Sequence, residues 1–258
     1  RLQRRNLMAE ADRAVAHPGQ GEAKKPVTFW RRYRASVFQS YLVFAVLVFL
    51  AMAVLAKTVA YFTFDVMITQ TLQSYHGVWF NTLMVDLTWL GFAPQAWVVS
   101  VAVVVFLYAG GLKWETVVTA ASLIGSEIVG LGVKALVDRP RPSPDLVNVV
   151  NQLKDYSFPS GHVLWYSTFF GFLVFLAYTL LKYSWWRSLI IVVLLGMIAL
   201  IGPSRIYEGQ HWASDVIAAY LLGSVWLSLS ILIYRWGKTR YFVNQPAAPP
   251  DVPAPPGN

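Results

Sequence analysis

The sequence has no cysteine. That excludes disulfides, thiolate metal sites and a cysteine nucleophile. Charge is scarce, at 13% of 258 residues, and acidic charge is scarcest, with 13 Asp and Glu against 21 Lys and Arg. Histidine occurs four times, and no internal repeat is evident. What the chain has in quantity is apolar: 56% of residues are hydrophobic and the mean hydropathy is +0.49. This is too apolar for an ordinary soluble domain of this length. The net charge of +8 is of the kind that nucleic-acid binding uses, but most of it flanks apolar runs, so a nucleic-acid partner is not expected. Several tryptophans lie near the ends of those runs (Trp30, Trp89, Trp114, Trp186, Trp212, Trp236), the distribution of an interfacial aromatic belt.

Six apolar segments, at about 36–57, 92–111, 116–137, 162–181, 188–204 and 213–235, are each near the ~20 residues that cross a bilayer as a helix. The expected fold class is therefore all-α, a polytopic membrane protein with six transmembrane helices. The expected organisation is a basic cytoplasmic segment at 1–35, a six-helix membrane domain at 36–237 and a Pro-rich disordered cytoplasmic tail at 238–258. Residues 61–90 carry some helical periodicity and are expected to form a lid or re-entrant piece on one face. Lys and Arg accumulate on cytoplasmic loops. With both termini inside, fifteen of the 21 basic residues lie on the inner side. Lys57, Lys134, Arg139, Arg141, Lys154 and Arg205 fall outside. Four of those six sit in polar clusters at span ends, where the topological rule gives no reason for them.

Three such clusters share the predicted outer face. The first runs Lys134-Ala-Leu-Val-Asp138-Arg139-Pro140-Arg141-Pro142. Its prolines stop the helix, and an anionic ligand would offset the unfavourable placement of a cation at a span end. Asp138 and Arg139 are expected to pair with each other. The second is Pro159-Ser160-Gly161-His162, where a helix start leaves backbone N–H groups free for an anion and places a proton donor beside them. The third is Ser204-Arg205-Ile-Tyr207-Glu208-Gly209-Gln210-His211-Trp212-Ala-Ser-Asp215. His211 and Asp215 are four residues apart and share a helix face, so the carboxylate is expected to accept from one ring nitrogen and present the other as an acceptor or nucleophile. Taken singly, each cluster has an ordinary reading: snorkelling cations, a capped helix start, a structural His–Asp pair. Glu127, two helical turns before Lys134, balances charge, serves helix packing or touches substrate. Glu208 either tunes the site or faces water. Trp165, Tyr166, Tyr207 and Trp212 belong to the aromatic belt or guide a lipid tail. The other histidines, His17 and His76, have no nearby carboxylate cluster, so no metal ligand set and no cofactor is expected.

Taken together, eleven residues in order are hard to obtain by chance: Lys134, Arg141, Pro142; Pro159, Ser160, Gly161, His162; Ser204, Arg205, His211, Asp215. The pattern resembles the type 2 phosphatidic acid phosphatase (PAP2) superfamily over roughly residues 60–235, with no departure in the motifs. The resemblance implies a six-helix, metal-independent membrane lipid phosphatase, of the kind found in the bacterial inner membrane, with its site facing the periplasm or exterior. It implies that His211 attacks phosphorus to form a phosphohistidine, with Asp215 orienting it. His162 would protonate the leaving group and then activate water. Lys134, Arg141 and Arg205 would neutralise the non-bridging oxygens, aided by Ser160 and the Gly161 N–H. The substrate would be a lipid phosphate or pyrophosphate, such as undecaprenyl pyrophosphate, phosphatidylglycerophosphate or phosphatidate. A lipid phosphotransferase of the same superfamily, or a non-catalytic membrane transporter or assembly subunit, are the alternatives. The sequence gives no oligomeric state.

Overall fold

The computed structural model describes residues 29–243; of the end segments expected at 1–35 and 238–258, residues 1–28 and 244–258 lie outside the described residues, whereas 29–35 and 238–243 are helical. The described chain is all-helical: α1 Phe29–Thr58, α2 Thr63–Gln73, α3 Val78–Leu90, α4 Ala93–Ala109, α5 Lys113–Val137, α6 Gly161–Leu180, α7 Trp185–Tyr207 and α8 Ala213–Lys238. A π-helical turn, Thr239–Val243, extends α8. The chain divides into two compact units, residues 1–42 and 43–258. Of the first, the described part is the start of α1, with Tyr33, Val37, Phe38 and Tyr41 exposed. Everything discussed below lies in the second.

Five helices are long and apolar enough to cross a membrane, and α3 with α4 forms a sixth candidate span bent by 65° at Gly91–Phe92. The protein is an integral membrane protein of the expected class. Residues 61–90, expected as one lid or re-entrant piece, are instead two helices, α2 and α3. α3 packs on α7, and α2 packs on α7 and α8.

Helix α6 is the packing centre, meeting α5, α7 and α8. Its Val163, Tyr166, Phe169 and Phe170 join Met84 and Leu87 of α3, Ile201 and Ile206 of α7 and Val216 of α8 in one buried cluster. Polar side chains pin the helices where hydrophobic contrast with lipid is weak. Ser122 and Ser230 hydroxyls meet at 2.8 Å, and Trp226 donates to the Ser122 carbonyl at 3.0 Å. At the other end of α5, buried Glu115 takes both Lys238 Nζ and the Tyr234 hydroxyl at 2.8 Å. Pro203 lies inside the last turns of α7. It removes a helical N–H donor, and the Tyr220 hydroxyl caps the carbonyl of Ile198 at 2.6 Å while accepting from the Gly202 N–H at 3.1 Å.

The expected aromatic belt holds in part. Trp89, Trp186 and Trp236 are exposed along the apolar surface. Trp212 is buried against Tyr61 instead, and Tyr166 is buried with its hydroxyl on the Leu87 carbonyl at 2.6 Å. Both are tied down by packing at the site, not by a membrane interface.

Candidate active site

The three clusters meet at one end of α5, α6, α7 and α8. Lys134 sits in the last turn of α5, which ends on Asp138 in the left-handed conformation (φ 47°), one that Asp tolerates. This reversal carries Arg139 inward and sets Arg141 beside His211. His162 opens α6, Arg205 closes α7, and His211 immediately precedes α8. His162 lies within electrostatic reach of Arg205, His211 and Lys134.

His211 is buried, and its tautomer is legible. Nδ1 donates to the carbonyl of Ser157 at 2.8 Å. A carbonyl only accepts, so the proton sits on Nδ1 and Nε2 carries the lone pair. Nε2 faces Arg141 Nη1 at 3.3 Å. Burial foremost, then the charges of Arg141, Arg205 and Lys134, push the imidazole well below its ordinary pKa. A lowered pKa keeps the base neutral, and hence nucleophilic, on the acid side. In 15N-histidine NMR the His211 ring is expected to stay neutral at pH 6.5, where an ordinary histidine is about half protonated. Titration near 6.5 would contradict this.

Asp215 does not accept directly from His211, as expected from the sequence; its Oδ2 is 3.8 Å from Nδ1. The Ser157 carbonyl takes that bond instead, and Asp215 acts one step back. It accepts from the Ser157 hydroxyl and, at 2.9 Å, from the Trp212 N–H at the start of α8. Its other oxygen meets Arg139 Nη1. Arg139 is fully buried and forks across the fold. Nη1 also donates to Ser214 Oγ at 2.7 Å, Nη2 to Asp65 Oδ2 at 3.0 Å, and Nε to the Ala60 carbonyl at 3.0 Å. Asp65 receives the Ser214 N–H and hydroxyl, each at 2.8 Å, and the Phe62 N–H at 3.0 Å. Asp65 and Asp215 each occupy the first turn of a helix, where the dipole favours an anion, and Arg139 ties the two helix starts together. The expected Asp138–Arg139 pair is not formed: Asp138 faces Lys57 at 3.9 Å.

Arg205 is fully buried. Nη1 donates to Thr88 Oγ1 and Glu208 Oε2, both at 3.2 Å. Ser204 fixes this end of α7 through its hydroxyl, which meets Thr88 Oγ1 at 2.7 Å and donates to the Met84 carbonyl. Glu208 is buried, so the reading in which it faces water is wrong; burial raises its pKa and Arg205 opposes that rise. Gly209 follows in the left-handed region (φ 64°), where an added Cβ would stand 2.0 Å from the Asn148 carbonyl oxygen. Glycine is required there to close the loop beneath His211.

Several polar atoms of this constellation have no partner among the described residues. These are Arg205 Nε and Nη2, the Ser160 hydroxyl and His162 Nε2, all shielded from solvent. Ser160 stands at the N-cap of α6, yet its side chain makes no cap bond, so the hydroxyl is not spent on the helix. Buried polar groups without partners are rare and call for an explanation such as a ligand. The Gly161 N–H at the start of α6 is likewise outside the helical ladder. Together with Lys134 and Arg141, these groups make a cationic, donor-rich seat, the chemistry that an anion carrying several oxygens requires.

Beside the seat lies a cleft of about 290 Å³, lined by His162, Asp155, Trp97, Ile124, Glu127 and Trp165 among others. Trp165 is fixed there by a 3.2 Å bond to Ser100 Oγ. Glu127 faces this cleft, and no hydrogen bond or ion pair places it in the seat itself. Gly91 forms the wall behind His162: a Cβ there would lie 2.3 Å from His162 Cδ2. Gly91→Ala is expected to rotate His162 and lower turnover by about 100-fold, with the detergent melting point little changed. Unaltered turnover would show that His162 need not be held in this rotamer.

Four participants have no place in the sequence pattern: Asp65, Arg139, Ser157 and Asp155. Arg139 had a signal, being a second arginine on the outer face inside Arg-Pro-Arg-Pro. Asp65 is the one charged residue of α2. Nothing in the local sequence of Ser157 or Asp155 marks them. Among the described residues, no group of three or more His, Asp or Glu side chains is arranged to hold a metal ion.

The chain has relatives among known proteins. The PAP2 superfamily model matches residues 115–240, which contain all eleven patterned residues. The chain is similar to an undecaprenyl-diphosphatase of Sulfolobus acidocaldarius, 46% identical over 84 residues, 32% of this chain and 36% of that protein. The matched stretch thus spans about a third of that relative. It is also similar to phosphatidylglycerophosphatase B of Bacillus subtilis, 24% identical over 178 residues, 69% of this chain and 86% of that protein. The crystal structure of a transmembrane PAP2-type phosphatidylglycerolphosphate phosphatase from Bacillus subtilis shares the fold. Its TM-score is 0.67 at 22% identity, covering 78% of this chain and 98% of that one.

Proposed function

We propose that the chain, whose residues 115–240 match the PAP2-superfamily model, is a membrane lipid phosphatase that removes a terminal phosphate through a phosphohistidine on His211. The observation that carries this reading is the His211 ring. Its Nδ1–H is held by the Ser157 carbonyl, and its Nε2 lone pair opens onto Arg141 and a set of buried donors without partners. Phosphoryl transfer requires in-line placement and neutralisation of charge on the equatorial oxygens. Lys134, Arg141 and Arg205 supply three cations for that task, with Ser160 and the Gly161 N–H as neutral donors.

In the first half-reaction Nε2 forms the N–P bond as the P–O bond to the lipid breaks. His162, which lines the apolar cleft, gives its proton to the departing oxygen. In the second half-reaction His162 takes a proton from water, whose oxygen attacks phosphorus and frees His211. Asp215, held by Arg139, stabilises the positive charge that develops on the imidazole. The apolar lining beside His162 supports a lipid leaving group entering from the bilayer. The names of the relatives point to prenyl diphosphates and phosphatidylglycerophosphate, and phosphatidate fits the same chemistry. The charge asymmetry of the loops supports both termini on the cytoplasmic side and the site on the periplasmic or outer face.

The test is phosphate release by the purified protein in detergent with EDTA present, from undecaprenyl pyrophosphate, phosphatidylglycerophosphate and phosphatidate. Chelator-resistant release from at least one of them is the expected result. No release from any of the three by folded protein would overturn the reading.

A further inference from the structure

The cationic pair at the seat is already bridged by an anion of the protein's own. Asp155, in the loop between α5 and α6, places Oδ2 2.6 Å from Lys134 Nζ and Oδ1 2.7 Å from Arg141 Nη2. Its carbonyl accepts from Arg141 Nε at 2.9 Å, and the neighbouring Tyr156 carbonyl accepts from Lys134 at 3.0 Å. The two cationic side chains are mostly shielded, at 13% and 11% exposure, whereas the Asp155 side chain is 55% exposed and borders the cleft beside His162. Arg141 is the same residue whose other terminal nitrogen faces the nucleophilic Nε2 of His211. A phosphate delivered to Nε2 therefore meets cations whose strongest bonds go to a half-exposed carboxylate beside the cleft.

We infer that Asp155 is a resident carboxylate that substrate phosphate must displace, and that this exchange selects doubly charged terminal phosphates over singly charged phosphodiesters. The inference rests on reading the seat as a phosphate site. Its logic is a comparison of charges. A terminal phosphate carries close to two negative charges at neutral pH and three non-bridging oxygens, so exchange for one carboxylate gains charge and hydrogen bonds on Lys134 and Arg141. A phosphodiester brings one charge and two such oxygens, so exchange gains little. A cleft open to a bilayer is surrounded by phosphodiester headgroups, and a bare Lys–Arg pair would be occupied by them. Specificity here comes from a competitor built into the site against the wrong ligand. Burial alone would raise the Asp155 carboxyl; the hydrogen bond and charge of Lys134, with Arg141, outweigh it and hold the pKa at about 2. The competitor is thus charged at every physiological pH.

The experiment is equilibrium binding of inorganic phosphate and of short-chain phosphatidylglycerol to purified wild type, Asp155→Asn and Asp155→Ser, followed by 31P NMR. Lipid phosphate turnover is measured in parallel. Binding does not require catalysis, so silence in turnover would count against the phosphatase reading alone. The expected result is weak phosphodiester binding by wild type and an increase of about tenfold or more in both variants, the scale for removing one half-exposed contact charge. Phosphodiester affinity that is unchanged or lower in both folded variants would overturn the inference and make Asp155 a brace that holds the cations in place.

Discussion

Replacing His211 with alanine lowers phosphate release by about 10⁴- to 10⁶-fold, the scale seen when a covalent nucleophile is removed. The geometry leaves no substitute. The Ser157 hydroxyl does donate to a carboxylate, Asp215, but that carboxylate is also held by Arg139 and the Trp212 N–H, and the Ser160 hydroxyl has no partner among the described residues. The cations and the helix N-terminus remain, so substrate binding should survive, and the loss should appear in kcat far more than in KM. The variant loses the bond to the Ser157 carbonyl and the longer contact with Arg141, a penalty of about 1–3 kcal/mol for the buried acceptor left unpaired, so it should still fold. The check is single-turnover kinetics beside binding of a non-hydrolysable phosphonate. A fall of less than about tenfold in folded protein would move the nucleophile elsewhere.

Arg139→Met is expected to have the largest effect on stability. The side chain is enclosed, and so are both of its carboxylate partners, with no exposure at Arg139, Asp65 or Asp215. Methionine fills part of the volume but leaves two buried carboxylates without their shared cation. Breaking a buried pair in this way is destabilising by about 3–5 kcal/mol, a large part of the ~5–15 kcal/mol that holds a typical domain. The detergent melting point should fall sharply and the yield of folded protein with it. Arg139→Lys should retain part of the stability, because one ammonium cannot reproduce a fork that reaches Asp65, Asp215, Ser214 and the Ala60 carbonyl together. Adding Asp65→Asn to Arg139→Met should recover some of the loss, since one of the two stranded charges is then gone. A melting point unchanged in Arg139→Met would show that the network is not a structural hub.

What was legible in the sequence follows from what each signal encodes. Hydropathy reports length and polarity, so the spans expected at 116–137, 162–181 and 213–235 coincide with α5, α6 and α8 to within a few residues. The same signal blurred residues 61–90. Helix α2 is an 11-residue helix whose buried face includes Asp65 and Thr69, and no apolar run marks it. The patterned residues were legible as a set because their spacing is fixed along the chain. Their partners were not. Arg139, in the loop after α5, and Asp65, in α2, meet across 74 residues. The direct His211–Asp215 bond expected from helical spacing fails because His211 lies before the helix begins, where i, i+4 geometry does not apply. The Ser157 carbonyl fills that role, and a backbone carbonyl leaves no trace in a sequence.

The central claim is that His211 Nε2 carries the phosphoryl group between lipid and water. The most direct test is rapid alkaline quenching of the purified protein during its first turnover of 32P-labelled lipid phosphate, followed by mapping of the label. The account predicts an acid-labile phosphoramidate on His211, formed before free phosphate appears and absent from His211→Ala. Free phosphate appearing with no labelled protein at any quench time would contradict it, and would make His211 a base for direct attack by water.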